Sequence, residues 1–273
     1  MSETYDRLTV TVIADYGPLS DMAFAEVTQS IYKHLENYDP RVKEYSVPAF
    51  DTVQTGFFLA EAAINSKLGK DHFFFVNTAP RHDDEKPRAD SAGEKLVYMK
   101  LYNGVRILAV NSGFSLSFVK EAAEEIRVVS VENEGSQFRS RDFYPRVLGE
   151  IVSGNESRLA DHAPHIPDYP KNIVAFVDGY GNLKTTIDPK DLKPHIGKYM
   201  SIGINGTKHF VRAGHSIFDV PDGLPCFAKG SSGWALKDGI RREFAEVVVR
   251  SGNAYLAYKR PKGGDHVSFE PAP

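Results

Sequence analysis

Residues 8–35 read LTVTVIADYGPLSDMAFAEVTQSIYKHL. The segment 8–15, LTVTVIAD, is rich in β-branched residues, and after the Asp-Tyr-Gly break DMAFAEVTQSIYKHL carries apolar residues at helical spacing. This predicts a strand, a loop and a helix. The pattern recurs downstream: VKEYSVP (42–48) precedes the helix-like DTVQTGFFLAEAAINSKL, and HFFFVN (72–77) is a continuous apolar run suited to a strand buried on both faces. GVRILAVNSG (104–113) forms a further strand ending in a polar turn, SLSFVKEAAEEI predicts a helix beginning near Ser115, and RVVSV returns as strand. The first half is therefore α/β with a mostly parallel sheet. Ligands of such sheets bind beyond the carboxyl ends of strands, which puts Asp15, Pro48 to Phe50, Asn77 and Asn111 forward as site candidates.

Residues 154–170, GNESRLADHAPHIPDYP, hold three prolines and no apolar periodicity, as a linker does. The segments beyond it (KYMSIGI, KHFVRA, CFAK, EFAEVVVRS, NAYLAYKR) are short, alternating and punctuated by glycine. We therefore expect an N-terminal α/β sandwich-type domain over 1–160 and a smaller C-terminal antiparallel β-barrel domain over 161–273. IVAFVDGYGNLKTTI (173–187) is a strand, a tight turn and a second strand, and its turn delivers Asp178, Tyr180 and Asn182 together. Either it presents polar groups to a ligand, or it is an ordinary hairpin with an Asx-type turn.

The formal net charge of -3 gives no field of one sign for nucleic acid or an anionic membrane, so a small-molecule ligand is the expectation. No apolar run approaches the roughly 18 residues of a membrane span, and MSETYDR lacks the apolar core of a secretory signal, so a cytoplasmic location is expected. The single cysteine, Cys226, cannot form an intrachain disulfide and sits in the apolar run LPCFA as a buried small hydrophobe. The nine histidines show no H-E-x-x-H or H-x-H spacing, so no metal site is expected.

Read in order, these segments resemble the S-adenosylmethionine hydroxide adenosyltransferases, relatives of the fluorinase and chlorinase enzymes. That family opens on a strand ending TDFG followed by an Asp; here VIADYG gives Asp15, and Asp21 follows. Its V-P-P-F-D or P-W-D element is similar to Val47, Pro48, Ala49, Phe50 and Asp51, and its DNG or NNG turn to Asn111, Ser112 and Gly113. The T-F-H-G-R-D or T-F-Y-S-R-E segment resembles Gln137 to Asp142, I-D-x-F-G-N-x-x-T-N-I resembles VDGYGNLKTTI, and N-S-x-G resembles Gly230 to Gly233. Each motif is short, but six stand in the family's order over nearly the whole chain.

The resemblance implies displacement at the ribose C5′ of S-adenosyl-L-methionine, with neutral methionine as leaving group, adenosine as product and no further cofactor. It implies ribose binding by Asp15, packing of Phe50 on sugar or adenine, a contact from Asn111, and binding of the methionine ammonium and neighbouring groups by Asp178 and Asn182. Tyr180 would stack on adenine and Ser231 would take the methionine carboxylate. It also implies a homotrimer with sites at subunit interfaces. At the reactive centre the chain departs from the hydrolase pattern. Asn77 stands at the aspartate position and Arg139 at the histidine position, while the family's arginine corresponds to Arg81 or Arg88.

An amide and a guanidinium are donors, not bases, and donors stabilise anions. Ser140 stands where the fluorinase segment also places serine as a halide contact, yet Asn77, Thr78, Ala79 and Pro80 do not reproduce the halogenase Y-P-A-T-G-T. Hydrolysis with Asn77, Arg139 and Ser140 at the reactive centre is the reading carried forward, with His82, Asp83 or Asp84 as candidate displaced bases. The alternatives are a non-catalytic S-adenosylmethionine or adenosine binder and a halide-using adenosyltransferase.

Overall fold

The structure, a computed structural model, describes residues 6–79, 94–132 and 136–272. It is a mixed α/β protein with two sheets, and the chain divides into two compact units, Met1–Pro167 and Asp168–Pro273. No helix among the described residues is long and apolar enough to cross a membrane.

The first unit begins with β1 (Arg7–Ala14), α1 (Met22–His34), β2 (Asp39–Ser46), α2 (Thr52–Ile64) and β3 (His72–Asn77). These are the elements that the apolar spacing predicts, with ends shifted by a few residues. After the segment outside the described residues come β4 (Leu96–Leu101), β5 (Arg106–Val110) and β6 (Ala123–Val129), then α3 (Arg139–Asp142) and α4 (Tyr144–Val152). The sheet order is β2-β1-β3-β5-β4-β6, parallel from β2 through β5 and antiparallel at β4 and β6.

Its centre is buried on both faces. Val10, Val12, Phe73 and Phe75 join a core with Phe24, Val27 and Ile31 of α1 and Val147, Leu148 and Ile151 of α4, while the alternate residues Ile13, Phe74 and Ile107 are buried as well. The i, i+3, i+7 spacing of the three α1 residues is what turns one stripe of that helix inward. Helix α2 is buried almost all round, and it approaches the 113–118 turn closely enough that a Cβ on Gly56 would lie 2.3 Å from the Phe114 carbonyl oxygen.

The helix expected from Ser115 does not form. Residues 112–119 are successive turns, with Ser115 Oγ donating to the Val110 carbonyl (3.0 Å) and Ser115 N–H to the Ser112 carbonyl (2.9 Å). A single 3-10 turn at Lys120–Ala122 then leads into β6, which β4 captures as an edge partner. The proline-rich stretch is also better tied than a linker: Ala160 N–H donates to the Val128 carbonyl (2.8 Å) and Val128 N–H to the His162 carbonyl (3.1 Å).

The second unit holds β7 (Val174–Val177), β8 (Leu183–Thr185), β9 (Tyr199–Ile204), β10 (Thr207–Ala213), β11 (Pro225–Ala235), β12 (Arg241–Val249), the one-turn α5 (Ala254–Ala257) and β13 (Val267–Pro271). They form one sheet in the order β13-β9-β10-β11-β12-β8-β7. An Ile173↔His266 bridge links residues flanking β7 and β13, so the sheet curls into a half-barrel around Met200, Ile202, Val211, Phe227, Val247 and Tyr258. It is not purely antiparallel. β10 meets β11 in parallel at Arg212↔Cys226 and Ala213↔Phe227. Cys226 is buried, as its apolar run predicts, and burial holds its thiol up at a pKa of about 11.

His72, at the start of β3, gives the first unit an acid sensitivity. Its ring bridges Thr11 Oγ1 and Ser66 Oγ, each at 2.8 Å, and packs 4.3 Å from the Phe74 ring. Desolvation, aided by Lys43, lowers its pKa to about 4 from an unfolded value of about 6.5. The unfolded chain therefore takes up the proton first, so this contribution is complete above pH 6.5 and is lost as pH falls toward 4. Allowing for partial solvation of the ring, the loss is at most about 2 kcal/mol. Urea midpoints at about pH 7 and about pH 4.5 should drop further for the wild type than for His72→Gln; equal drops would exclude His72 as the cause.

Candidate functional site

Strand ends of the first unit surround a cavity of about 460 Å³, a volume in the range of small-molecule sites. Asp15 and Tyr16 enter it after β1, Phe50 from the turn after β2, Asn77 to Ala79 from the end of β3, Val110 from β5, and Gln137 to Ser140 from the loop into α3. Five residues marked in the sequence thus line one space: Asp15, Phe50, Asn77, Arg139 and Ser140. The cavity lies beyond the carboxyl ends of β1 and β3, the region in which open α/β sheets commonly bind ligands.

Asp15 organises this space. Its Oδ2 accepts the Phe50 N–H at 2.9 Å, and the Ala79 N–H lies 3.2 and 3.1 Å from its two carboxylate oxygens. It does not cap α1, because Asp21 does so by accepting the Ala23 N–H at 2.9 Å.

Phe50 has φ 64°, in the left-handed region that bulky side chains avoid. The turn around it is over-determined. Phe50 N–H is held by Asp15, Asp51 N–H donates to the Pro48 carbonyl (3.1 Å), and buried Asp51 accepts both the backbone and side-chain N–H of Gln54 at 2.8 Å while capping α2. The 77–79 segment is clamped in turn: Thr78 pairs with Thr55 hydroxyl to hydroxyl (2.8 Å), and Ser112 Oγ donates to the Thr78 carbonyl (2.7 Å).

The 136–142 loop has its own bracing. Arg141 pairs with Asp142 (2.7 Å) and Glu26 (3.3 Å), and its guanidinium lies 5.0 Å from the Phe138 ring centroid. Ser136 Oγ donates to Asp142 and accepts the Phe138 N–H (2.8 Å). Phe138 is thereby fixed against Tyr16 at 5.7 Å, and Phe24 closes on Tyr16 from another side at 5.1 Å, both edge to face. This brings buried Ser140 and Arg139 to the cavity.

Three lining residues escape a reading of strand ends and motifs: Tyr16, Tyr144 and Glu94. Burial pushes the Tyr16 phenol well above the ordinary tyrosine range, the negative charge of Asp15 pushes it further, and neighbouring Ser140 and Asn77 oppose the shift. Burial likewise raises the Tyr144 phenol, against the opposing charge of Arg139. Both stay protonated at physiological pH. Glu94 adds a second carboxylate to the cavity. The only sequence signal for Tyr16 is its place beside Asp15, where the similar family motif has phenylalanine.

Other expected site residues are not among those that line this cavity. Asn111 is not among the lining residues; its Nδ2 donates to the His165 carbonyl at 2.9 Å. Asp178, Tyr180, Asn182 and Ser231 belong to the second unit. The 178–182 hairpin is an Asx turn: Asp178 Oδ1 accepts the N–H groups of Tyr180 (2.9 Å) and Asn182 (3.0 Å), Oδ2 accepts the Asn182 amide (3.0 Å), and Gly181 takes φ 79°. Tyr180 is 82% exposed. Residues 230–233 form a bulge within β11 rather than a loop, and the Ser231 N–H donates to Glu246 Oε1 at 3.1 Å. Arg81, Arg88, His82, Asp83 and Asp84 lie outside the described residues.

Fold and cavity together define a two-unit α/β protein with a small-molecule-sized cavity of mixed polar and apolar lining at the strand ends of its first sheet. Among solved structures the chain is similar to an uncharacterized conserved protein from Thermotoga maritima, with a TM-score of 0.69 and 19% identity over 95% of this chain and 99% of that one. It is also similar to a conserved hypothetical protein from Thermus thermophilus, with a TM-score of 0.63 and 18% identity over 96% of this chain and 100% of that one. At such identities the likeness is one of fold. No protein-family model and no curated protein matches the chain.

Proposed function

We propose that this chain is a cytoplasmic, adenosyltransferase-like enzyme that hydrolyses S-adenosyl-L-methionine to adenosine and L-methionine, working as a homotrimer. One observation carries the reading: Asp15, Phe50, Asn77, Arg139 and Ser140, singled out by motif order, line the same cavity. In this reading Asp15 accepts from the ribose hydroxyls, and Phe50, held in its strained turn, packs on the nucleoside. Water attacks C5′ in line with the C–S bond, a C–O bond forms, and the C–S electron pair leaves on the neutral thioether of methionine. The water proton is released. Alignment and partial desolvation of the nucleophile supply most of the rate.

The donor-rich lining supports a second reading. Arg139 and Asn77 cannot accept a proton from water, and donors around the nucleophile suit a halide or a resident ligand that is never turned over. Incubating purified protein with S-adenosylmethionine, with and without halide salts, and separating the nucleosides discriminates among them. Adenosine alone supports hydrolysis, a halide-dependent 5′-halogenated nucleoside supports halide use, and tight binding without product supports the binder. Asn77→Asp combined with Arg139→His should raise adenosine release by about tenfold or more. An unchanged rate would remove these two positions from the reactive centre.

A further inference from the structure

Among the described residues that line the cavity, Tyr16 carries a polar atom whose hydrogen bonding is incomplete. Tyr16 Oη is buried and makes no well-formed hydrogen bond among the described residues; Ser140 and Asn77 approach it only as weak hydrogen-bonding neighbours that lower its pKa. A buried hydroxyl left unpaired costs stability, and phenylalanine would fill the same space without that cost. The ring does not escape the cost by turning away, because Phe24 and Phe138 hold it edge to face. A poorly paired hydroxyl fixed beside Ser140 and Asn77 in the lining of the cavity can gain a better partner from a bound molecule.

We propose that the Tyr16 hydroxyl, with Ser140 and Asn77, holds the attacking water of the adenosyl-transfer reaction, an inference that rests on the function proposed above. A phenol both donates and accepts, so Tyr16 Oη fixes one hydrogen bond of that water, the Ser140 hydroxyl or the Asn77 amide fixes another, and an oxygen lone pair remains for C5′. Tyr16 positions and does not deprotonate: burial and the Asp15 charge both keep the phenol protonated. The step balances as before, with the C–O bond formed, the C–S bond broken and one proton released to solvent.

The test is Tyr16→Phe, followed by melting temperature and by steady-state adenosine release from S-adenosylmethionine. The expected result is a melting temperature equal to or above wild type, kcat lower by about 10- to 100-fold, and a KM changed by less than about twofold. Unchanged kcat in an active protein removes Tyr16 alone and leaves the proposed hydrolysis standing. A raised KM with unchanged kcat shows that the hydroxyl binds the nucleoside and overturns the water contact, and a marked fall in melting temperature shows a structural partner and overturns it as well. A wild-type protein that releases no adenosine removes the hydrolysis and this inference together.

Discussion

Asp15→Ala is expected to abolish adenosine binding and to lower the stability of the first unit by about 2–4 kcal/mol. The carboxylate ties the Phe50 turn and the backbone after β3 to the end of β1, just where the ladders of β1 with β2 and β3 run out. Its removal leaves the Phe50 and Ala79 N–H groups without this acceptor, and a half-buried donor that loses a charged acceptor forfeits more than a neutral pair would. Phe50 then loses one of the contacts that hold it at φ 64°, a conformation costing of order 1–3 kcal/mol. The turn should relax and the cavity wall should go with it.

Asp15→Asn separates the two consequences, since one amide oxygen still accepts from Phe50 or Ala79 while the amide nitrogen faces the other donor. Stability should recover by about 1 kcal/mol relative to Asp15→Ala, with binding still weak. Urea denaturation and calorimetric titration with adenosine read both quantities. Wild-type affinity in Asp15→Ala would take Asp15 out of the ligand's reach.

That Asp15 would matter is legible in the sequence, but the form of its role is not. A β-branched run ending in Asp-Tyr-Gly before a helical pattern announces a strand end, and strand ends are where ligands of such sheets lie. The two backbone donors it gathers come from 35 and 64 residues away, which no local pattern reveals. Residues 115–126 mislead for a related reason. SLSFVKEAAEEI has helical apolar spacing, yet the Ser115 hydroxyl bonds the Val110 carbonyl and the Ser112 N–H within the turn, the Ser112 hydroxyl ties the turn to Thr78, and β4 offers Ala123–Val129 a ladder. Long-range pairing overrides propensity there. The 178–182 turn shows the converse case: Gly181 and the Asx pattern specify its shape locally, with Tyr255 N–H only bracing it from outside, so its shape is readable while its use is not.

Lys184→Met is expected to destabilise the second unit by about 3–5 kcal/mol. Lys184 Nζ lies 2.7 Å from Glu246 Oε1, with side-chain exposures of only 10% and 8%, and Asp178 Oδ2 is a further 3.7 Å contact. The pair links β8 to β12 where their ladder is only two residues long, Glu246↔Lys184 and Val247↔Leu183. Removing the ammonium strands a buried carboxylate, and that uncompensated charge, rather than the lost attraction, dominates the cost. The diagnostic is therefore the double variant Lys184→Met with Glu246→Gln. It has no buried charge at this pair, and the Gln oxygen can still accept the Ser231 N–H, so it should be more stable than the single variant by about 1–3 kcal/mol. Glu246→Leu in the same background should recover less, because the Ser231 N–H then loses its acceptor inside the β11 bulge. Urea unfolding of the three variants gives the order directly, and a double variant no more stable than Lys184→Met would mean that packing of the lysine stem, not the stranded charge, sets the loss.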